Sequence, residues 1–381
     1  MNIAVLLGGY SAERDVSLAS GLRIAAALRE RGHQVTCVDP AAIDARGVLG
    51  RAEEARLLAS GVGTAPPSLE ALAGLGYGQG GIRPELAGWP AVRDADLCFL
   101  ALHGGQGEDG TLQALLDLAG VRYTGSGHLA SALAMDKHLS KVLFRAAGVC
   151  TADWRMAPRL AAADAAGRRA FQDEALAALG LPVIVKPSKQ GSSVALTVVR
   201  DAAAFGPAVD LAFRYDDAVM VEQFVAGREL TVGVLGDPAE PGSALPVLEI
   251  VARHEIYDYE CKYTPGMAEE RVADLAPAVA TEVQRQARLA FAALGLGGCA
   301  RVDFRMDAAG AFFCLEANTL PGMTALSLIP QAAAAAGLLF PDLCERIVAL
   351  AAPDAAPDAA TLAAVGAETG AETGAETGAV G

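Results

Sequence analysis

Lysine is scarce in this chain of 381 residues, where only five of the 30 basic residues are lysines. Lys137 and Lys141 fall in one short window, Lys186 and Lys189 in a second, and Lys262 in a third. An ammonium is a compact point charge and a guanidinium a planar fork, so a site shaped around a phosphate oxygen does not accept the two equally. We therefore expect lysine to be kept where the head group matters. Lys141 and Lys189 are the two expected to be incidental.

Several signals of other protein classes are missing as well. The sequence has no run of 18 apolar residues, so no membrane span is predicted. Its apolar start lacks the basic leader of a signal peptide. The seven cysteines form an odd set without a Cys-x-x-Cys pair. This pattern indicates a reducing cytoplasm rather than a disulfide framework.

The charge balance is acidic. The net charge is -15, of which the segment after Leu350 contributes five carboxylates and no base, leaving -10 for the rest. An acidic body without a basic stripe disfavours nucleic acid as a partner. An anionic substrate would need a local positive pocket, which the lysine windows could provide.

Common nucleotide-binding signatures are also missing. No Gly-x-Gly-x-x-Gly follows a convincing strand, and no Gly-x-x-x-x-Gly-Lys-[Ser/Thr] is present. Gly8-Gly9, between a predicted strand and helix, could let the backbone approach a ligand. The loop 190–193, which follows the strand ending at Lys186, could fold over a triphosphate and donate several hydrogen bonds to it. A plain hairpin turn is the alternative.

The order of predicted elements sets the fold class. A strand at 3–7, a helix at 16–31 and a strand at 34–38 predict a parallel, doubly wound sheet, and therefore an α/β fold. Further strands are predicted at 96–102, 181–186 and 219–223, and helices near 111–119 and 129–147.

The breaks between the predicted strands and helices indicate three domains and a tail. We expect an N-terminal α/β domain at 1–127, a central domain at 128–221 and a C-terminal domain at 222–350. The tail at 351–381 repeats Gly-Ala-Glu-Thr three times from Gly366. Such a segment cannot bury a core, so we expect it to be disordered.

A predicted hairpin carries the strongest chemical signal. Strands at 300–306 and 311–317 flank the turn-like segment 307–310, Asp-Ala-Ala-Gly. If these four residues form the loop, Asp303 opposes Cys314.

In the same register Arg301 opposes Glu316, and because side chains alternate with period two, Arg301, Asp303, Glu316 and Asn318 share one face. Two carboxylates and a carboxamide form an oxygen set suited to Mg²⁺, and the arginine can hold an anion. A cross-strand salt bridge on a solvated sheet is the alternative. A one-residue change of register would separate the groups.

Eight stretches of the sequence resemble the D-alanine–D-alanine ligase family. Together they extend over about residues 1 to 350, and their combination in this order is specific. They are 7–17 (LGGYSAERDVS), 103–110 (HGGQGEDG), 123–127 (YTGSG), 135–137 (MDK), 186–188 (KPS), 191–194 (GSSV), 257–263 (YDYECKY) and 316–324 (EANTLPGMT).

This resemblance implies the ATP-grasp fold, with α+β architecture in the ATP-binding part and nucleotide between the central and C-terminal units. It assigns the ATP phosphates to Lys137 and Lys186, the adenine amino group to Glu222 and the ribose hydroxyls to Glu229. Two Mg²⁺ (or Mn²⁺) ions are assigned to Asp303, Glu316 and Asn318. The remaining implied nucleotide contacts are Val225, and Ser192 and Ser193 in a loop at 191–194 that closes over the phosphates.

The resemblance also implies two amino-acid subsites. Glu13 would take the ammonium of the first D-alanine and Arg301 the oxyanion at its carbonyl carbon. The other implied substrate contacts are His103 near the first D-alanine, Lys262 at the transferring phosphate, Gly322, and Ser327 at the second carboxylate. Ser192 and Tyr263 would link Glu13 to the closing loop.

The implied activity is ATP-dependent ligation of two D-alanines through a D-alanyl phosphate, for peptidoglycan precursors. The resemblance suggests a homodimer, while the composition indicates a cytoplasmic protein with no membrane or nucleic-acid partner. A D-alanine–D-lactate ligase is an alternative, although Lys262-Tyr263 favours the amine. Another carboxylate–amine ligase on this fold, or an ATP-binding regulatory protein without turnover, also remains open.

Three positions depart from the family pattern. Gln223 stands where a lysine is common, so an adenine contact there is expected through the backbone. Ala195 replaces a frequent glycine after the loop, and Leu326 occupies a variable place near the second substrate.

Overall fold

The computed structural model describes residues 1–41, 47–63, 81–160, 164–191, 193–257, 259–264 and 266–351. The side chains of Tyr259 and Tyr263 are outside this description, as are Ser192 and the predicted tail from 352 onward.

The described strands and helices follow the predicted order. The strands are β1 (Asn2–Leu6), β2 (Gln34–Val38), β3 (Leu97–Leu100), β4 (Trp154–Ala157), β5 (Val183–Pro187), β6 (Thr197–Val199), β7 (Val219–Gln223), β8 (Arg228–Leu235), β9 (Leu248–Ala252), β10 (Ala268–Val272), β11 (Cys299–Met306) and β12 (Phe312–Asn318). The helices are α1 (Arg14–Glu30), α2 (Arg51–Ser60), α3 (Pro90–Arg93), α4 (Thr111–Leu118), α5 (His128–Met135), α6 (Lys137–Ala146), α7 (Ala165–Leu179), α8 (Ala202–Ala212), α9 (Tyr259–Tyr263), α10 (Pro277–Ala293), α11 (Leu328–Ala335) and α12 (Phe340–Ala349).

The N-terminal sheet is parallel, with strand order β2-β1-β3. Ile3 pairs with Val35 on one side and with Leu97 on the other. Helix α1 packs on this sheet, and Gly8 and Gly9 turn the chain between β1 and α1 with φ of 79° and 74°. The predicted parallel α/β arrangement is confirmed.

Two antiparallel sheets follow. The central one has the order β4-β7-β5-β6 and the C-terminal one the order β10-β9-β8-β11-β12. Helices α7 and α8 pack on the central sheet, while α10 packs on β8, β11 and β12. The two sheets form the walls of the cleft described below.

One hydrophobic core joins the N-terminal sheet to helices α11 and α12. Ile3 and Val5 of β1 belong to the same buried cluster as Ile329 of α11 and Leu343 of α12. Arg31, at the end of α1, also forms an ion pair with Asp342. The N-terminal sheet is therefore packed directly against the last two helices that the structure describes.

The helix predicted at 129–147 is divided in two by Asp136. The Asp136 carboxylate accepts hydrogen bonds from the backbone of His138 at 3.0 Å and Leu139 at 3.2 Å. It is therefore the N-cap of α6. This cap starts a new helix whose first residue is Lys137.

The predicted register of the β11–β12 hairpin is wrong by two residues at the functional end. Phe304 opposes Cys314, but Asp303 opposes Glu316, because a bulge at this point adds Leu315 to β12. Arg301 consequently opposes Asn318. Relative to the predicted pairing, the turn shifts β12 by one residue and the bulge shifts it by one more. Because side chains alternate with period two, a total shift of two leaves the four side chains on one face.

Among the helices described here, none combines the length and apolarity that crossing a bilayer requires.

The turn between β7 and β8 has a strict steric requirement. Gly227 has φ +137°, and a Cβ there would lie 2.1 Å from the carbonyl oxygen of Met306. Gly310, in the β11–β12 turn, has φ +85° with nothing within 4 Å of the Cβ position.

We expect Gly227→Ala to lower the free energy of unfolding by at least about 3 kcal/mol, because it adds a backbone clash to the strain of positive φ. Gly310→Ala is the matched control and should cost only about 1–2 kcal/mol of strain. Denaturant titration of both variants measures the difference. Equal losses would show that the Met306 contact has no energetic consequence.

Candidate active site

Two adjoining cavities lie between the sheets. Cavity I contains about 880 Å³ of space and cavity II about 950 Å³, including the part open to solvent. Their walls share Lys137, Gly191, Tyr257, Lys262, Arg301 and Glu316. A group bound at this junction would contact the occupants of both cavities.

The candidate residues are brought together here. Cavity I is lined by Glu13, His103, Asn318, Gly322 and Ser327 in addition to shared residues. Cavity II is lined by Lys186, Ser193, Glu222, Val225, Glu229 and Asp303. Ser192 and the Tyr263 side chain lie outside the described residues.

Asp303 is the centre of the hydrogen-bond network on β11. Arg301 donates to both of its carboxylate oxygens at 2.8 Å, and Thr231 donates to Oδ1 at 2.6 Å. Asn318 donates through Nδ2 to Oδ2 at 3.0 Å. Burial would lower the pKa of Arg301, but Asp303 outweighs it and raises that pKa. Arg301 is therefore a permanent, oriented cation.

Glu316 lies beside Lys137, at the junction of the cavities. The Lys137 ammonium is 3.0 Å from a Glu316 oxygen and donates to the carbonyl oxygen of Gln190 at 2.8 Å. Burial would raise the pKa of Glu316, but Lys137, Lys186 and Lys262 together lower it to about 2. Glu316 is thus a carboxylate at neutral pH.

Glu222 is buried between two lysines. Lys186 contacts one of its oxygens at 2.6 Å and Lys141 contacts the other. Burial would raise the pKa of Glu222, but the two ammonium groups lower it to about 2. Both oxygens of the predicted adenine contact are therefore engaged within the protein.

Glu229 lies further along cavity II. Arg305 bonds it at 3.0 Å and also donates to the carbonyl oxygen of Val225 at 3.1 Å. Burial raises the pKa of Glu229, and Arg305 opposes that change. Apolar side chains complete this end of the cavity: Ile184, Leu196, Phe224, Ile250, Ile256 and Leu315.

Glu13 stands at the start of α1, between two glycines. A Cβ at Gly104 would lie 3.0 Å from its Oε2, and a Cβ at Gly191 3.2 Å. The absence of side chains at both positions gives the carboxylate room beside the glycine-rich loop. Glu13 therefore lies next to Gly191, the first residue of the loop at 191–194 that is expected to close over the phosphates.

His103 connects the N-terminal sheet to the segment after β12. Its Nδ1 lies 2.9 Å from the carbonyl oxygen of Leu320, and its Nε2 lies 3.3 Å from Ser20 Oγ. A carbonyl can only accept, so Nδ1 carries the proton. Burial lowers the pKa of His103, against the opposing charge of Glu13. The ring is therefore a neutral connector on the cavity wall.

Helix α1 also holds the segment that carries Gly322. Arg23 donates to the carbonyl oxygens of Met323 at 3.0 Å and Thr324 at 2.8 Å. The Ser327 hydroxyl accepts from the backbone of Thr324 at 2.9 Å. A Cβ at Gly322 would lie 2.8 Å from Ser327 Oγ, so glycine permits this close approach.

The glycine-rich loop lies between the cavities. Ser193 has φ +57° and donates to the carbonyl oxygen of Tyr257 at 3.3 Å. Ala195 has φ +54°, which a glycine would adopt without strain. Lys262, from α9, lies 5.5 Å from the centre of the Tyr257 ring.

The proposed metal ligands suit Mg²⁺ by chemistry. Asp303 and Glu316 are opposed across the hairpin, and Asn318 turns its nitrogen toward Asp303, leaving its oxygen on the other side. Two carboxylates and an amide oxygen are hard ligands. Within the described ranges, no group of three or more His, Cys, Asp or Glu side chains is arranged to hold a metal, so the proposed set depends on the asparagine.

Sequence reasoning missed several residues of the site. Lys141, expected to be incidental, is fully buried and bonds Glu222. Arg305 and Thr231 were not singled out, and their signal is only their position on strands that carry candidate residues. Tyr257 lies in the quoted motif 257–263 but was given no role. Glu108 lies inside a quoted motif, yet its role as a carboxylate shared between two loops was not foreseen.

Glu108 accepts hydrogen bonds from the backbone of Gly104 at 2.9 Å and of Leu320 at 3.2 Å. Burial, and next the charge of Glu13, raise its pKa to about 7. Glu108 therefore changes charge near neutral pH, in the wall of cavity I.

Two antiparallel sheets that enclose a cleft with lysines, carboxylates and a glycine-rich loop define an ATP-grasp protein. Solved structures share this fold. The D-alanine–D-alanine ligase from Bacillus anthracis superposes with a TM-score of 0.69 at 29% identity, covering 92% of this chain and 97% of that one. The enzyme from Coxiella burnetii gives 0.68 at 28% identity, covering 92% and 94%. A structure of the Bacillus anthracis enzyme complexed with ATP gives 0.69 at 27% identity, covering 92% and 97%.

Sequence comparison identifies the family. The model for the D-ala D-ala ligase N-terminus matches residues 2–126, and that for the C-terminus matches 143–349. The D-alanine–D-alanine ligase of Citrifermentans bemidjiense is 42% identical over 347 residues, covering 91% of this chain and 94% of that protein. That of Geotalea uraniireducens is 41% identical over 353 residues, covering 92% and 95%. The chain belongs to the D-alanine–D-alanine ligase family.

The raised pKa of Glu108 predicts a specific pH dependence of stability. Between the unfolded pKa near 4.5 and the folded pKa near 7, only the native state keeps the proton, so stability falls as pH rises. From pH 5 to 8 we expect the free energy of unfolding of the wild type to fall by about 2 kcal/mol relative to Glu108→Gln.

Denaturant titrations across this range measure that difference. Glu85→Gln, at an exposed glutamate, is the control and should run parallel to the wild type. Parallel curves for Glu108→Gln would refute the raised pKa.

Proposed function

We propose that this chain joins two D-alanine molecules to form D-alanyl-D-alanine for peptidoglycan precursors, with ATP converted to ADP and phosphate. The observation that carries this proposal is the junction of the two cavities, where Arg301, Lys137, Lys262 and Glu316 line both walls. A zwitterionic substrate and a triphosphate can meet there. The near full-length match to curated ligases supports the same activity.

Cavity II is the ATP site in this proposal. Its apolar end near Phe224 takes adenine, Glu229 takes the ribose hydroxyls, and Lys186 and Lys137 hold the phosphates at the junction. The contact of Glu222 with the adenine amino group remains a prediction, and the backbone at Gln223–Val225 is within the same wall.

The first D-alanine lies in cavity I, with its ammonium at Glu13 and its carboxylate toward Arg301. One fixed charge of each sign orients a zwitterion in a single direction. The carboxylate oxygen attacks the γ-phosphorus of ATP, which yields D-alanyl phosphate and ADP. Lys262 is placed to compensate charge on the transferring phosphoryl group.

The second D-alanine binds with its carboxylate at Ser327. Its amine, after losing a proton, attacks the carbonyl carbon of the acyl phosphate, and the tetrahedral intermediate collapses with loss of phosphate. Arg301 and the Gly322 segment stabilise the oxyanion. Closure of the 191–194 loop excludes water that would hydrolyse the acyl phosphate. The link from Glu13 through Ser192 to Tyr263 is part of this proposal.

Asp303, Glu316 and Asn318 would hold two Mg²⁺ (or Mn²⁺) ions, which when bound neutralise charge on the phosphates. The chain's own contribution is to fix these ligands, since Arg301, Thr231 and Asn318 together orient the Asp303 carboxylate.

The organisation of the chain is proposed along the same lines. The proposed domains are 1–127, 128–221 and 222–350, with a tail at 351–381; the boundary at 222 falls within β7, whose last two residues belong to the central sheet. We expect a homodimer in the cytoplasm, as the family resemblance suggests.

The direct test is phosphate release from Mg-ATP with D-alanine, with L-alanine and with no amino acid, followed by product analysis with D-alanine and D-lactate mixed. We expect release only with D-alanine and a dipeptide as the main product. Release without amino acid, or preference for L-alanine, would overturn the assignment. A dominant depsipeptide would instead identify a D-alanine–D-lactate ligase.

In the same assay Arg301→Ala and Glu316→Ala should lower kcat at least about 10²-fold, because each removes charge compensation at the reacting groups. Circular dichroism should show a retained fold. Arg93→Ala, an exposed arginine paired with its neighbour Asp94, is the control and should keep full activity. Near-normal turnover in either active-site variant would refute the site.

A further inference from the structure

Lys141 is a buried lysine that lies outside the walls of both cavities as described. Its side chain is 0% exposed. The ammonium contacts one oxygen of Glu222 and lies 2.5 Å from the hydroxyl oxygen of Thr151. It also lies 5.3 Å from the centre of the Trp154 ring. Burying an ammonium costs free energy unless the group is paired and hydrogen-bonded. The sequence analysis assigned no function to this one.

The three charges of this cluster do not cancel. Lys141 and Lys186 share the single carboxylate of Glu222, one on each oxygen. Burial lowers the pKa of Lys141, and the charge of Glu222 opposes that change. With both lysines protonated, these three side chains carry a net charge of +1. Lys186 and Glu222 both line cavity II, but the Lys186 side chain is 10% exposed and that of Glu222 only 3%. The surplus positive charge is therefore presented to the cleft through Lys186.

Lys141 also connects the two sheets. Thr151 donates to the carbonyl oxygen of Cys314 at 2.7 Å, and Cys314 immediately precedes the bulge residue Leu315. Glu222 lies on β7 of the central sheet and Cys314 on β12 of the C-terminal sheet. The lysine thus bridges the two walls beneath the cleft, one helical turn after Lys137 on α6.

We infer that Lys141 is a positioning residue for the nucleotide phosphates. By taking one oxygen of Glu222 it prevents that carboxylate from neutralising Lys186, and through Thr151 it holds β12 against the central sheet. Without Lys141, Glu222 would pair with Lys186 alone and the cluster would fall from +1 to zero. The inference rests on the role proposed for Lys186 at the phosphates.

The test is ADP binding by calorimetry, together with steady-state kinetics of the full chain. Lys141→Met should weaken ADP binding and raise the KM for ATP at least about tenfold, with the KM for D-alanine at saturating ATP within about twofold of the wild type. Lys189→Met is the matched control, since this exposed lysine pairs with Asp217 at the surface. It should bind ADP as the wild type does.

A double-mutant cycle separates charge from packing. In a Glu222→Gln background Lys186 has lost the carboxylate with which it forms an ion pair, so Lys141→Met should weaken ADP binding less than about threefold. Any direct contact of Glu222 with the nucleotide cancels in this comparison. An equal loss in both backgrounds would mean that Lys141 acts only by packing, and would overturn the inference.

Salt dependence gives a second readout that needs no change at Glu222. Because one positive charge is lost from the cluster, ADP affinity should depend less on KCl concentration in Lys141→Met than in the wild type. An unchanged dependence would contradict the inference.

Lys186→Met distinguishes this inference from the proposed function. If it leaves ADP binding intact, the role of Lys186 at the phosphates is wrong and the inference falls with it. If it weakens binding but Lys141→Met does not, only the inference is wrong. A wild-type chain that binds no ADP would contradict the proposed function itself.

Discussion

A single extra residue in β12 determines on which face of the C-terminal sheet the acidic groups lie. If the pairing of Phe304 with Cys314 continued without a bulge, Leu315 would oppose Asp303, and Glu316 would oppose Val302 on the other face of the sheet. With the bulge, Asp303 opposes Glu316 and Arg301 opposes Asn318. Every step proposed for the reacting groups depends on this shared face.

Charge compensation is the second constraint, and it follows from the first. Two carboxylates that burial alone would protonate are kept ionised by cations from other elements: Glu316 by Lys137 of α6, and Glu222 by Lys141 of α6 and Lys186 of β5. These ion pairs are also the contacts that hold the cleft walls together. Binding chemistry and architecture therefore use the same side chains.

The N-terminal unit provides Glu13 to the site, and it also holds in place the segment that follows β12. His103 and Arg23 both bond backbone carbonyl oxygens after β12, and β1 shares a core with the last helices. The segment that carries Gly322 and Ser327 is consequently positioned from two directions. Cavity I is a site between units rather than a pocket within one.

Much of the fold could be predicted from the sequence, because period-two alternation and glycine-closed helices are local signals. The parallel start, the strand at 219–223 and the hairpin with its acidic face were all accessible in this way. The bulge at Leu315 was not, since nothing in the residue types of β12 marks where an extra residue is accommodated.

The helix break at Asp136 was missed because its cap sits inside a continuous helical pattern. Lys141 was misjudged for a related reason. Its spacing of four from Lys137 places both on one helix face, but only the folded chain shows that Glu222 and Thr151 lie opposite. Long-range partners of this kind leave no local trace in a single sequence.

The most direct test of the account is anomalous diffraction from crystals of the protein grown with ADP and Mn²⁺. The account predicts manganese within about 2.3 Å of oxygens from Asp303, Glu316 and Asn318, with the nucleotide phosphates on the same side of the sheet. Manganese bound elsewhere, or a Glu316 side chain on the opposite face from Asp303, would contradict it.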